Sequence, residues 1–194
     1  LHAFMQQGAR SPAYPSIVGG GANSCILHYV ENQDQLKEGD LLLIDAGAEY
    51  DCYASDITRT FPINGKFSKE QAAVYEVVLE AQLAAIAEVQ PGNTWNMPHE
   101  AAVEVITRGL VSLGILKGRT SKLICDEMFR PYYMHKTGHW LGMDVHDVGE
   151  YRVDGEWRTL APGMVLTIEP GIYVAPDDES VDEKWRGIGI RIED

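Results

Sequence analysis

Cationic side chains are scarce in this chain: 16 Lys and Arg stand against 29 Asp and Glu, a formal net charge of −13. A surface of that sign repels phosphate backbones and anionic headgroups, and no basic stripe offsets it, so neither nucleic acid nor a membrane is expected as a partner. Cysteine is rare too. Cys25, Cys52 and Cys125 are odd in number, widely spaced and without a CxxC pair, which excludes a disulfide framework and a thiolate zinc site and points to free thiols in a reducing, cytoplasmic setting. No run approaches the roughly 20 apolar residues of a membrane span, and no charged-then-apolar leader opens the chain. Low-complexity segments and long linkers are absent, and no Ser/His/Asp or Cys/His grouping offers a nucleophile. What is present is 45% hydrophobic content over 194 residues, enough for one sizeable core and a single domain over 1–194. The first residue is Leu1 rather than Met, in what reads as the middle of an element, so a piece of a longer polypeptide is expected.

Apolar periodicity and turn residues divide the chain into strands, then helices, then strands. Residues 16–18 and 24–30 read as strands around the turn-prone 19–23, and 41–44 is an apolar run of strand length with 53–61 returning beside it as a hairpin. Ser68 and Gln71 form a capping-box signature, and Val74, Val77, Val78, Leu79, Leu83 and Ile86 recur at helical spacing up to Pro91. A second helix is expected over 95–113, with Thr94 as its cap and Gly114 as its stop, followed by strands at 165–168, 171–174 and 187–193. This order predicts an α+β fold rather than regular βαβ alternation. A divergent internal repeat crosses it. Residues 36–47 match 160–171 without gaps, setting Gly39 on Gly163, Gly47 on Gly171 and Asp45 on Glu169. With His28 preceding one acid and His146 the other, two related halves would build a pseudo-symmetric site between them.

If the hairpin turn falls at Tyr50-Asp51, Asp45 lies directly opposite Asp56, with Cβ atoms about 4.5–5.5 Å apart. Two like charges at that distance need a proton or a cation between them. The second half supplies His139, Glu169 directly after the apolar run 165–168, and Glu193 closing 188–192. Acids at core-facing strand ends are costly without partners. A lone histidine is more often a structural residue than a ligand; His139 stands out only in this company. Four carboxylates carry −4 and two divalent cations +4, and the oxygen-rich set favours manganese, iron or cobalt over a closed structural zinc site.

Several stretches, namely Asp45-Ala46-Gly47 with 55–61, 139–147, Ile168-Glu169-Pro170-Gly171 and 186–194, closely resemble the Xaa-Pro aminopeptidases. The resemblance implies the pita-bread fold, shared with methionine aminopeptidase, prolidase and creatinase, with pseudo-two-fold halves. It implies a dinuclear centre in which Asp45 holds one ion, His139 and Glu169 the other, and Asp56 and Glu193 both, with manganese first and cobalt, iron or zinc as alternatives. Glu169 would move the proton, His146 would stabilise the oxyanion, His28 would lie near the scissile nitrogen, and His135, Tyr173 and Arg191 would line the pocket. The implied substrates are peptides with proline in the second position. Prolidase, which accepts dipeptides alone, is the rival reading, and the 186–191 run favours the aminopeptidase branch. A non-catalytic peptide-binding module is a third reading, set against the complete ligand set. The family also implies an upstream domain, a short C-terminal tail and a homo-oligomer of the full-length protein.

Overall fold

The computed structural model describes residues 1–194. A short helix α1 (His2–Gln6) and strand β1 (Ser11–Pro12) lead into β2 (Ile17–Gly20), a 3-10 turn at Gly21–Cys25, and strands β3 (Leu41–Asp45), β4 (Ala48–Tyr50), β5 (Tyr53–Ala54) and β6 (Thr58–Pro62). Helices α2 (Lys69–Ala87), α3 (Met97–Ser112) and α4 (Thr120–Cys125) follow. The chain then returns to short strands, β7 (Arg152–Val153), β8 (Glu156–Trp157), β9 (Gly171–Tyr173) and β10 (Gly189–Arg191). The expected α+β order of strands, helices and strands is what forms. In the main sheet β3 lies between β2 and β6, all antiparallel, while β9 and β10 pair separately.

Helix α2 starts where its capping box sets it: Gln71 N–H donates to Ser68 Oγ at 3.1 Å and Ser68 N–H donates to Gln71 Oε1 at 2.9 Å. Helix α3 begins at Met97, later than expected, because Thr94 is used in a bridge to Thr159; Gly114, at φ +76°, follows its end. The two helices approach closely at Gly109, where a Cβ would come 2.3 Å from Val77 Cγ1. Val74, Val78, Ala81 and Ala85 of α2 and Ala102, Ile106 and Leu110 of α3 are fully buried, in one cluster with Ile172 and Ile190 of the last strands and Val174 just after β9. Each larger aliphatic side chain in that layer contributes about 1.5–3 kcal/mol on burial. The helices thus form a backing against which the acid-bearing strand ends are held.

Three expectations are corrected. The hairpin turn falls at Asp51-Cys52, whose φ angles of 48° and 66° give both central residues the left-handed conformation of a tight hairpin turn. Tyr50 therefore pairs with Tyr53, and Asp45 sits opposite Thr58 rather than Asp56. The 24–30 segment is no strand: Ser24 Oγ bonds back to Gly21 O at 2.7 Å and also accepts Gly189 N–H at 3.1 Å, so local turns replace a ladder, while Gly19 and Gly20 belong to β2. Segment 165–168 is extended but forms no regular strand. It divides its backbone between two partners, with Thr167 N–H donating to His139 O at 3.0 Å and Ile168 N–H donating to Asp194 O at 2.8 Å.

The internal repeat recurs in backbone geometry. Gly39 and Gly163 have φ +91° and +90° with open space around them, each opening the segment that ends in Asp45 or Glu169. Gly47 and Gly171 are crowded at the other end: a Cβ would lie 1.6 Å from Ser55 O at Gly47 and 2.5 Å from the Tyr173 hydroxyl at Gly171.

Candidate metal centre

Asp45 ends β3, and Asp56 lies in the irregular stretch before β6; both are 8% exposed. Although not opposite each other, they converge on one group, the Tyr14 hydroxyl, at 2.5 Å from Asp45 Oδ1 and 2.6 Å from Asp56 Oδ1. A phenol has one proton and can satisfy one of these acids at a time, so the other contact calls for a proton or cation nearby. Burial first, then the charge of Asp45, holds the Tyr14 phenol far above its ordinary range and keeps it a donor.

The second half enters through the 137–139 and 167–169 segments. His139 Nδ1–H donates to Trp140 O at 3.0 Å, which turns Nε2 to Asp56 Oδ2 (3.3 Å) and Glu169 Oε1 (3.6 Å); burial lowers this imidazole, but the hydrogen bonds to Asp56 and Trp140 O and the two carboxylate charges outweigh it and raise it. Glu193, 2% exposed, accepts the Thr58 hydroxyl at 2.6 Å. One ligand atom each from Asp56, His139 and Glu193 lies within 4.8 Å of the other two. Burial, followed by the Glu193 charge, pushes Glu169 up to about 8, and burial followed by Asp56 and Asp45 pushes Glu193 up to about 8. Crowded acids that resist ionisation around an imidazole nitrogen form a set in which a divalent cation can replace the shared protons.

Arg191, 3% exposed, supplies the local positive charge. Its Nη2 donates to Asp45 Oδ2 at 2.7 Å, Nη1 to the Tyr173 hydroxyl at 3.1 Å and Nε to Thr58 Oγ1 at 3.2 Å. Having accepted from Arg191, Tyr173 donates to His135 Nε2 at 2.9 Å, while His135 Nδ1–H donates to Lys136 O at 2.8 Å. His135 is thereby held neutral, and burial lowers it to about 4. The His146 ring stands edge-on to His139, with centroids 4.2 Å apart. His28 faces the same cavity, about 350 Å³ in volume, as Asp45, His139, His146 and Glu169.

Every site residue expected from the sequence thus borders this region: Asp56, His139 and Glu193 form its tightest group, Glu169 adjoins His139, and Asp45 is tied in through Tyr14 and Arg191. Tyr14 and Thr58 were not foreseen. The correct hairpin register would have placed Thr58 beside Asp45; Tyr14 sits in a sequence context with no signal of its own.

The raised carboxyls give a pH prediction for metal-stripped protein. Glu169 and Glu193 rise from 4.5 to about 8 on folding, so the folded chain keeps protons that the unfolded chain has released. Their contribution to stability is complete below about pH 4.5 and is lost as pH climbs to about 8. The melting temperature of stripped protein should fall across this window, and the double variant Glu169→Gln/Glu193→Gln should lose most of that slope. A stripped wild-type chain whose melting temperature rises over the window contradicts the assignment.

Comparison with known proteins gives the family. The family model described as metallopeptidase family M24 matches residues 1–194. The Xaa-Pro aminopeptidase of Haemophilus influenzae is 55% identical over 194 residues, covering 100% of this chain and 45% of that protein. The structure of Pseudomonas aeruginosa aminopeptidase PepP superimposes with a TM-score of 0.99 at 64% identity, covering 100% of this chain and 44% of the other. Zinc-substituted Escherichia coli aminopeptidase P in complex with product gives a TM-score of 0.96 at 54% identity, covering 100% and 43%. The chain spans less than half the length of these proteins.

Proposed function

The chain belongs to metallopeptidase family M24, with the pita-bread fold, and on that premise we propose that residues 1–194 carry the catalytic chemistry of a Xaa-Pro aminopeptidase. The reaction is hydrolysis of the bond between a peptide's first residue and a following proline. The observation that carries the reading is the convergence of Asp56, His139 and Glu193 on one buried point, bordered by Glu169 and tied to Asp45 through Tyr14. The relatives and structural neighbours supply the substrate class. Two divalent cations, manganese first, would be held by Asp45 on one side, His139 and Glu169 on the other, and Asp56 and Glu193 between. When bound, such ions supply Lewis acidity, polarising the carbonyl under attack and making water nucleophilic near neutral pH.

The chain's own residues do the rest. Glu169 takes a proton from the attacking water and returns it to the leaving proline nitrogen. His146 donates to the oxyanion that develops, and His28 lies by the scissile nitrogen. Arg191, bonded to both Asp45 and Tyr173, fixes Asp45 and, through Tyr173, the neutral form of His135, so that two walls of the cavity are held by one buried cation. The three cysteines are free, in keeping with a cytoplasmic enzyme. The experiment is product analysis with manganese-loaded protein, offered an Xaa-Pro dipeptide and an Xaa-Pro-Xaa tripeptide. Release of the first amino acid from the tripeptide is expected; cleavage of the dipeptide alone would assign the chain to the prolidase reading.

A further inference from the structure

We propose that His99, acting through Thr137 and Tyr133, is a positioning residue for the segment that carries His139, an inference that rests on the metal-centre reading above. His99 lies in the first turn of α3 and is absent from the proposed ligand set, yet its Nδ1 is 2.8 Å from Thr137 Oγ1. The same hydroxyl is 2.5 Å from the Tyr133 hydroxyl. Thr137 and Tyr133 are 2% and 1% exposed, so water does not compete for these groups.

Counting protons gives the direction of the bonds. Thr137 Oγ1 is the only hydrogen-bond partner of the Tyr133 hydroxyl, and a buried O–H left without an acceptor is strongly unfavourable, so Tyr133 donates to Thr137. Thr137 then has its own proton to give, and the remaining neighbour is His99 Nδ1. His99 must therefore be neutral, with its proton on Nε2. Burial, reinforced by Lys136 and His135, lowers it to about 4, which keeps Nδ1 an acceptor at neutral pH.

Thr137 transmits this fixing to the metal centre through backbone. Its carbonyl accepts Glu169 N–H at 2.7 Å, and two residues on, His139 exchanges bonds with Thr167, O to N–H at 3.0 Å and N–H to Oγ1 at 3.1 Å. Between them Gly138 has no slack, since a Cβ there would lie 1.9 Å from Thr167 O. The His139 and Glu169 segments are thus locked together, and the Tyr133–Thr137–His99 chain anchors one end of the pair to α3, whose inner face is fixed against α2 by Gly109. Tyr133 also packs its ring against His135 at 5.1 Å, edge to face.

The test uses the manganese ion alone as probe, measuring its dissociation constant by calorimetry, with circular dichroism as a check on folding and kcat and KM determined at saturating metal. Partners that orient metal ligands are worth about 10–100-fold in affinity or activity. His99→Leu, which removes the acceptor, should weaken manganese binding by about 10–100-fold, as should Thr137→Val, which removes the hydroxyl. The double variant should be no worse than the weaker-binding single variant, because the two act in one chain. Thr137→Ser should restore near-wild-type affinity, and KM at saturating metal should change little in all of them. Wild-type affinity in His99→Leu, fully multiplicative losses in the double variant, or a Thr137→Ser as impaired as Thr137→Val would each overturn the proposal. If Thr137→Val fails to fold, His99→Leu compared with Tyr133→Phe decides it: matching losses support the relay, and an unchanged affinity in either removes it. A wild-type chain that binds manganese but leaves Xaa-Pro peptides intact overturns the functional reading alone.

Discussion

Asp56→Asn, and separately Glu193→Gln, should lower turnover by about a thousandfold and leave the purified protein short of metal. Each substitution deletes one negative charge from the Asp56, His139 and Glu193 group, whose ligand atoms lie within 4.8 Å of one another. Lewis-acid stabilisation is worth several kcal/mol, and at about 1.36 kcal/mol per tenfold a loss of about 4 kcal/mol gives that factor. Chelation should reproduce the loss in wild-type protein and added manganese or cobalt should reverse it, while melting temperature should drop with the metal because ions that bind the folded state alone stabilise it. Metal content per chain and kcat are to be measured on the same preparations. A variant that keeps wild-type metal content and activity would remove its residue from the ligand set.

Glu169→Gln should behave differently. Glutamine keeps the size and one oxygen near His139 Nε2, where Glu169 Oε1 now lies at 3.6 Å, but it cannot accept and return a proton. General acid–base transfer contributes about 10²–10⁴-fold, so kcat measured at saturating manganese should fall by that factor, beyond whatever affinity is lost with one ligand oxygen. The separation of the two effects is the result to look for. An unchanged kcat at saturating manganese would give the proton transfer to another group.

The parts of this molecule legible in its sequence are those with short-range causes. Ser68 and Gln71 bond each other across one helical turn, so α2 starts where the capping signature puts it. The run ending in Asp45 is a strand because its aliphatic residues are buried on both faces, Leu41, Leu42 and Leu43 in succession. The hairpin register depended on which two residues turn, and Asp51-Cys52 carries none of the glycine that usually marks left-handed positions. That error was harmless to the site. Shifting the pairing by two residues preserves which side chains share a face, so Asp45 and Asp56 still meet. Segments 24–30 and 165–168 failed for another reason: their backbone groups bond side chains or split between two neighbours, and no local pattern reports such tertiary partners. Tyr14, Thr58 and His99 belong to the same category, reaching the centre from 31, 135 and 38 positions away along the chain from Asp45, Glu193 and Thr137 respectively.

One buried point, surrounded by residues from both ends of the chain, is the proposed metal centre. The most direct measurement is anomalous diffraction at the manganese edge from crystals grown with manganese. Two anomalous peaks are expected in the cavity bordered by Asp45, Asp56, His139, Glu169 and Glu193, both lost in Asp56→Asn. Fully occupied manganese elsewhere on the protein, with no peak among these five residues, would contradict it.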